Sequence, residues 1–431
     1  MSRSFDLLII GTGAAAKSVA YPCRKAGRSV AVVDNRPFGG TCANRGCDPK
    51  KVLVGFSSAL DAARRLGPHG LIAPGAHIDW PALMAFKRSF TDSVPDSTER
   101  SFRKAGIEML RGTAAFVSSN AVEVAGERVE ARHIVLCIGA SPIPLGIPGE
   151  ERLITSDDFL DLASLPADLH FVGGGYIAFE FAHLAARAGA RVTIHHRGAR
   201  PLEQFDPTLV AQLVDDTRAL GIDLRLGQPV TEIPEDGATW IHAAGRAPNL
   251  KPLNLEAAGI AVTKRGIQVD QHLVTTNPAV YAAGDCADSG GPPLTPVAGV
   301  EGGVVATNLL NPGSKTVDYT GVASVVFTTP PLAAVGLTEA QAHGSDLDFE
   351  VTTGDSSSWY SSRRLAVRSS GYKILTERGT GRILGAHLYG EGADEHINLF
   401  ALAIRAGLTA EIVQSTLFAY PTHGSDTQYM L

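Results

Sequence analysis

One stretch of this sequence occurs twice, and that repetition limits the fold more than any composition figure does. Asp6 to Asp34 (DLLIIGTGAAAKSVAYPCRKAGRSVAVVD) and Asp168 to His196 (DLHFVGGGYIAFEFAHLAARAGARVTIHH) align without a gap. Each copy reads as an apolar strand, a GxGxxA turn, an alanine-rich helix stopped by a glycine (Gly27, Gly189) and a second apolar strand. Glycines at such a turn let the backbone approach a pyrophosphate, whose charge is met by the free amides of the helix N-terminus. Gly11, Gly13 and Ala16 make this turn once; Gly173, Gly175 and Ala178 make it again. A lone match is weak. One flanked by the right elements and used twice predicts an α/β chain with two Rossmann-like dinucleotide-binding domains.

The end of the second strand reads the adenosine ribose, where a carboxylate accepts hydrogen bonds from both hydroxyls. The first copy has Asp34 there, which fits FAD or NAD. The second has His196, next to His195, with Arg197 and Arg200 following. A carboxylate would repel a 2′-phosphate and guanidinium groups attract one, so the second nucleotide is expected to be NADPH rather than NADH.

The 431 residues suffice for about three domains. With 38 Lys plus Arg against 44 Asp plus Glu, charged residues make up 19% and the net charge is −6, which argues against a nucleic-acid partner. No apolar run approaches the roughly 18 residues of a membrane helix. Arg3, Leu7 to Ile10 and Ala14 to Ala16 faintly imitate a secretory signal, but Gly11 cuts the apolar part short. Five cysteines are an odd number in a long chain, unlike a stapled secreted framework, so a cytoplasmic location is expected. Residues 50 to 66 and 81 to 105 read as long helices, and 393 to 406 and 409 to 416 as two more. Val325-Val326-Phe327, Ala366-Val367 and Ile383 to Leu388 read as strands of a third, α+β domain.

Between the two copies lies Gly39-Gly40-Thr41-Cys42-Ala43-Asn44-Arg45-Gly46-Cys47-Asp48-Pro49-Lys50. Two cysteines at the start of a helix can close a disulfide, and the helix N-terminus and Lys50 would stabilise a thiolate once it opens. A zinc site needs four ligands at suitable spacing, and no CxxC or second pair is present. Cys23, Cys137 and Cys286 sit in apolar contexts and are expected to be inert.

The run GGTCANRGCDPKK resembles the active-site signature of the class I pyridine nucleotide-disulfide oxidoreductases, the family of glutathione reductase, lipoamide dehydrogenase and mercuric reductase. The resemblance spans essentially the whole chain: TTNPAVYAAGD ending at Asp285, LTPVA at Leu294 to Ala298, PPLAAVGLTEAQA at 330 to 342, and TGRILGAHLYG at 380 to 390. It implies a homodimer with non-covalent FAD. The FAD domain would span 1–148, resume at 247–316 and flank a shortened NAD(P)H domain at 149–246, with a dimerisation domain at 317–431. It further implies that Asp285 holds the ribityl chain and that the helix starting near Thr295 points at the flavin. Lys50 and Glu180 would form the ion pair near flavin N5, and Tyr176 would cover the nicotinamide pocket. Thr41, Gly139 and Gly245 join the cofactor-binding set. Hydride would pass from NADPH to FAD and on to Cys47, leaving Cys42 to attack the acceptor.

The chain also departs from that family. Where most disulfide-reducing members carry His-Pro-Thr and then Glu as a proton shuttle across the dimer, this chain has Tyr420-Pro421-Thr422-His423-Gly424-Ser425-Asp426. Tyrosine replaces the histidine, serine replaces the glutamate, and His423 and Asp426 are out-of-register candidates to substitute. Mercuric reductases also carry a tyrosine near this point, but they use a C-terminal cysteine pair, and no cysteine follows Cys286. Lipoamide dehydrogenase is disfavoured by the missing His/Glu pair and by the basic nucleotide site. The stretch from Gly227 to Gly245 is too short for the family's usual β-layer. Trp359-Tyr360, in the serine-rich stretch Ser356 to Ser362, is either surface loop or the rim of a substrate mouth. A small-molecule disulfide is the first expectation for the acceptor; a metal ion, a quinone or another non-thiol oxidant is the second. A redox sensor, whose disulfide state alters a partner contact, is the third.

Overall fold

The computed structural model describes residues 3–431, which gather into two compact units. The first holds the described residues up to Lys50, with Phe86–Ile143 and Gly245–Tyr319; the second holds Lys51–Ala85, Pro144–Ala244 and Thr320–Leu431.

In the first unit Arg3–Ile10 is the middle of a sheet ordered Glu108–Arg111, Val30–Asp34, Arg3–Ile10, Glu127–Leu136, Ala121–Val124, Ala114–Ser118. Glu127–Leu136 is long enough for two further partners. Its first half pairs antiparallel with Ala121–Val124 and its last three residues pair parallel with Val280–Ala282. Leu8 and Ile10 face one buried cluster and Leu7 and Ile9 another, so the parallel strands are covered on both faces and read as unbroken apolar runs. The alanine-rich helix Ala14–Lys25 lies against Thr295–Leu310 at very short range, because a side chain on Gly302 would meet the Ala15 carbonyl at 2.4 Å. The parallel strands all end on the edge that carries Gly11 and Asp34.

The second unit contains a parallel sheet ordered Asp223–Leu226, Arg191–His196, Asp168–Val172, Thr239–His242. It also contains an antiparallel sheet ordered Ala323–Val326, Leu332–Gly336, Ile383–Tyr389, Gly371–Glu377, Phe349–Asp355. Helix Tyr176–Arg187 packs on the parallel sheet together with Leu53, Leu60, Trp80 and Met84. Arg187 anchors this layer, donating to Asp61 at 2.8 Å and to the Thr329 carbonyl at 2.7 Å. Residues 227–238 form no strand, as the short spacing predicts.

Two sequence expectations change. The helix expected over 81–105 is two helices, Trp80–Thr91 and Val94–Ala105, because Pro95 at the second helix's start cannot extend the first. Ala366-Val367 is no strand: Ala366 has φ 51° and closes the turn after the short helix Tyr360–Arg363. Trp359 packs on the Tyr372 and Tyr429 rings and is part of this unit's core, while Tyr360 is exposed.

Candidate active site

Cys42 lies in the short helix Gly40–Arg45, and Cys47 opens the 20-residue helix Cys47–Leu66. Gly46 joins them where only glycine fits comfortably, since a Cβ there would meet the Thr41 carbonyl at 3.0 Å and the Cys42 Cα at 3.1 Å. Both residues are thiols in this structure. Cys47 Sγ is 3.3 Å from the hydroxyl of Thr295, the first residue of a 16-residue helix, so two helix N-termini meet at one sulfur. Cys42 Sγ faces Asp48 Oδ1 at 3.8 Å.

This environment splits the two thiols. Cys47 is pushed down to about 6, chiefly by the hydrogen bond it accepts from Cys42, with Thr295 and the Lys50 charge helping. Cys42 is driven far up, by donating that bond and by burial. The site therefore favours the thiolate at Cys47 over one at Cys42. Lys17, which no motif singled out, belongs to the same patch. It occupies the position that the second copy of the repeat fills with buried Phe179, and burial lowers its ammonium while Cys42 and Asp48 oppose that shift. The other cysteines are buried, with burial lifting Cys23 to about 11, Cys286 to about 12 and Cys137 well above its usual range.

The first glycine turn backs onto this pair. Gly40, at φ 80°, has room for no side chain because a Cβ would lie 2.4 Å from the Gly13 Cα. Asp34 is held at its strand end by the Thr12 hydroxyl at 2.5 Å and the Arg36 amide at 3.0 Å, while Ala16 is fully buried. Gly139, at φ 63°, has no atom within side-chain reach, and Thr41 is exposed. Burial raises the Asp285 carboxyl, and the nearby charge of Arg246 opposes the shift. The turn leading into Asp285 is fixed by Glu301, a residue that motif reading passed over. Its buried carboxylate accepts from the Gly284 amide at 2.6 Å, Ser289 at 2.6 Å and Tyr319 at 2.7 Å. Its signal in the sequence is a lone charge inside the apolar run TPVAGVEGGVV. The open backbone beside Gly139, the glycine turn and the carboxylate at the strand end fit a dinucleotide.

In the second turn Gly173 is at φ 124°, Gly175 faces open space and Ala178 is buried. Tyr176, first residue of its helix, is half exposed. Glu180 is buried, and its carboxylate accepts from the Phe327 amide at 2.8 Å. The His196 ring lies over Gly174, with Nε2 3.0 Å from the Arg200 carbonyl. Arg197 is exposed, and Arg200 donates to the Glu203 carbonyl at 3.1 Å. Gly245, at φ 121°, belongs to the first unit, where its carbonyl accepts from the Ile143 amide.

At the C-terminal segment Tyr420 is 75% exposed. Ser425 is spent on local structure, since it and Thr422 cap the short helix His423–Tyr429 reciprocally. His423 turns inward. Its ring packs on Gly392, its Nε2 is buried without a hydrogen-bond partner, and its Nδ1 is 3.9 Å from Asp426 Oδ2, beyond hydrogen-bond reach. Burial pushes His423 down and Asp426 up, so both favour their neutral forms.

Two family models match, the pyridine nucleotide-disulphide oxidoreductase model over residues 5–302 and the dimerisation domain of the same family over 322–430. The chain belongs to the pyridine nucleotide-disulphide oxidoreductases. Among curated members of that family, the glutathione reductase of Burkholderia cepacia is 33% identical, covering 97% of this chain and 96% of its own. The mercuric reductase of Streptomyces lividans is also 33% identical, over 97% and 94%. Among solved structures, the HOCl-induced flavoprotein disulfide reductase RclA of Escherichia coli superposes with a TM-score of 0.87 at 29% identity, covering 99% of each chain. Its Cu(II) complex gives 0.88 at 28%, covering 100% of this chain and 99% of the other. Oxidoreductases of this family are FAD enzymes that use NAD(P)H, so this chain is an enzyme of that kind with the family's dimerisation domain. No described helix is long and apolar enough to cross a membrane.

Proposed function

We propose that this flavin reductase takes electrons from NADPH, cycles Cys42 and Cys47 between disulfide and dithiol, and delivers an electron pair to a thiophilic metal ion. When bound, FAD relays the two electrons of NADPH. The pair enters the Cys42–Cys47 disulfide at Cys47 and breaks the S–S bond, and in the dithiol that results Cys42, Thr295 and Lys50 favour the Cys47 thiolate. The guanidinium groups of Arg197 and Arg200, which follow His196 at the position where the first copy carries Asp34, support NADPH over NADH.

One observation carries the choice of acceptor. Reduction of a disulfide requires a proton for the departing thiolate, and the segment that donates it in relatives offers an exposed phenol at Tyr420, a capping Ser425 and an inward-facing His423. A metal ion accepts electrons with no leaving group to protonate, so the absent shuttle costs nothing. The sequence favours a small disulfide; the inward turn of His423 supports placing a metal ion ahead of it. The mercuric reductases among the relatives and the Cu(II) complex of the structural neighbour point the same way. A small disulfide is the second reading, supported by the end-to-end match to a glutathione reductase.

The test is NADPH consumption by purified protein with copper(II), mercury(II), glutathione disulfide and a quinone in turn. The reaction consumes one NADPH per mercury(II) or per two copper(II) ions. Metal turnover should exceed glutathione disulfide turnover by at least a hundredfold and be lost in Cys42→Ser. Rapid glutathione disulfide reduction would overturn the metal reading, and no turnover with any acceptor would favour the sensor. Tyr420→His with Ser425→Glu, which rebuilds the shuttle, should raise disulfide turnover alone, general acid-base help being worth about 10² to 10⁴ where geometry is ideal.

A further inference from the structure

Away from the cysteines, on the parallel sheet of the second unit, three side chains form a constellation that the reductase chemistry does not use. In the register of the parallel strands Trp240 lies opposite His170, and His195 lies on the neighbouring strand, so all three project from one face of the sheet. On this face Val172, Ile233 and Trp240 form a small apolar cluster, onto which Leu145, Ile147, Leu153 and Val230 also pack. His170 Nδ1 and His195 Nε2 are 3.0 Å apart. The ring centroids are 5.3 Å apart and the planes differ by 21°, which leaves only the two ring radii besides the nitrogen gap. The two nitrogens therefore lie on the line joining the ring centres, with the rings nearly coplanar. The Trp240 indole stacks on both, at 4.4 Å from His170 and 5.1 Å from His195.

We propose that His170 and His195 form a two-coordinate site for a soft monovalent d10 cation, copper(I) or silver(I), roofed by the Trp240 indole. Collinear nitrogens suit an ion that binds two ligands at a straight angle. Zinc-like ions, which want three or four ligands, find no third: among the described residues no group of three or more His, Cys, Asp or Glu could hold a metal. Asp236, whose charge reaches His170, is engaged by the Trp240 indole N–H at 3.2 Å and the Ala238 amide at 3.0 Å, and Asp223, whose charge reaches both rings, pairs with Arg225 at 2.7 Å. The indole face adds a cation–π contact. With metal–nitrogen bonds of about 2 Å the nitrogens must part to about 4 Å, a shift that falls to the partly buried His170 ring rather than to the buried His195 ring. The hydrogen-bonded pair carries one proton between its facing nitrogens. Binding moves that proton to the outer nitrogen of the same ring, so the site gains one positive charge and releases no proton. The proposal is independent of the identity of the electron acceptor.

The test uses FAD-loaded protein with Cys42→Ser and Cys47→Ser, which removes the exposed thiols, and silver nitrate in chloride-free buffer. Equilibrium dialysis should find one tightly bound silver per chain, and intrinsic tryptophan fluorescence should change in step. His170→Gln and His195→Gln should each weaken binding at least tenfold. Trp240→Phe should retain the metal and lose the fluorescence response. Equal silver binding in both glutamine variants would overturn the site, and zinc bound through the same rings as tightly as silver would overturn its two-coordinate class. Should a variant misfold, ¹⁵N-histidine spectra of the thiol-free parent decide. Silver must shift the His170 and His195 signals ahead of all other histidines, and unmoved signals reject the site.

Discussion

In the first nucleotide turn Thr12 donates to Asp34 at 2.5 Å; the second copy of the repeat has Gly174 and His196 at those positions, and a Cβ on Gly174 would lie 2.6 Å from the His196 ring. The two positions changed together. A hydroxyl that orients a carboxylate gave way to a glycine that makes room for an imidazole. What did not change is the leading glycine. A Cβ on Gly11 would lie 2.1 Å from the Cys137 carbonyl, and one on Gly173 would lie 2.1 Å from the Ala243 carbonyl. The backbone of the turn is thus pinned by contact with a neighbouring segment, while the strand-end chemistry is free to be re-chosen. The surroundings differ as well: Gly13 of the first turn meets Gly40 at 3.7 Å, whereas Gly175 of the second meets nothing.

The largest effect should come from the pinned glycines. Gly11→Ala combines a φ of 111° with a clash against backbone, and the purified protein should lose nearly all flavin absorbance. Gly173→Ala carries the same strain in the second unit and should keep its flavin while NADPH binding, read by equilibrium titration, collapses. If either variant lost both cofactors equally, the two turns would not be separate devices. Next in size is the charge swap. Arg197→Ala with Arg200→Ala should erase the proposed NADPH preference, expected to be a hundredfold or greater in kcat/KM at roughly 1.5–3 kcal/mol per charge-assisted bond. Transplanting the first copy's pair by Gly174→Thr with His196→Asp should carry the enzyme further toward NADH, and an unchanged ratio would break the comparison. A smaller effect concerns the thiols behind the first turn. Cys47 has a depressed pKa, so its thiolate persists at higher pH and is lost as pH falls through about 6. In the two-electron-reduced enzyme the long-wavelength absorption between thiolate and flavin should halve near that pH and vanish in Cys47→Ser. Cys42→Ala should keep the band but move its midpoint up, because Cys47 loses the donor that contributes most to its shift.

What could be read from the sequence was whatever local backbone chemistry determines. The glycine turns need particular residues at fixed spacing, and the run from Gly39 to Lys50 brings two thiols to a helix start by itself. The features that escaped depend on distant packing. Ser425 holds the register position of a catalytic acid, yet its role is decided by Thr422 beside it and that of His423 by Gly392 on another helix. The break between Trp80–Thr91 and Val94–Ala105 hides because apolar periodicity continues across it. The His170, His195 and Trp240 stack exists only through the register of three parallel strands. Strand Gly371–Glu377, paired on both sides and buried for six residues in succession, lacks the alternation that announces a half-exposed strand.

The buried carboxylate of Glu301 has an electrical consequence. Its three donors are an amide and two hydroxyls, which orient it without cancelling its charge. Its field reaches Cys137, Asp285 and Tyr319 and disfavours the anion at each. A flavin seated beside the Gly284–Asp285 turn, as the family resemblance implies, would meet the same repulsion on taking up an electron. Glu301→Gln, which keeps the shape and removes the charge, should raise the midpoint potential of the bound flavin in an equilibrium redox titration. A carboxylate inside an apolar helix would then help to set the driving force left for the acceptor.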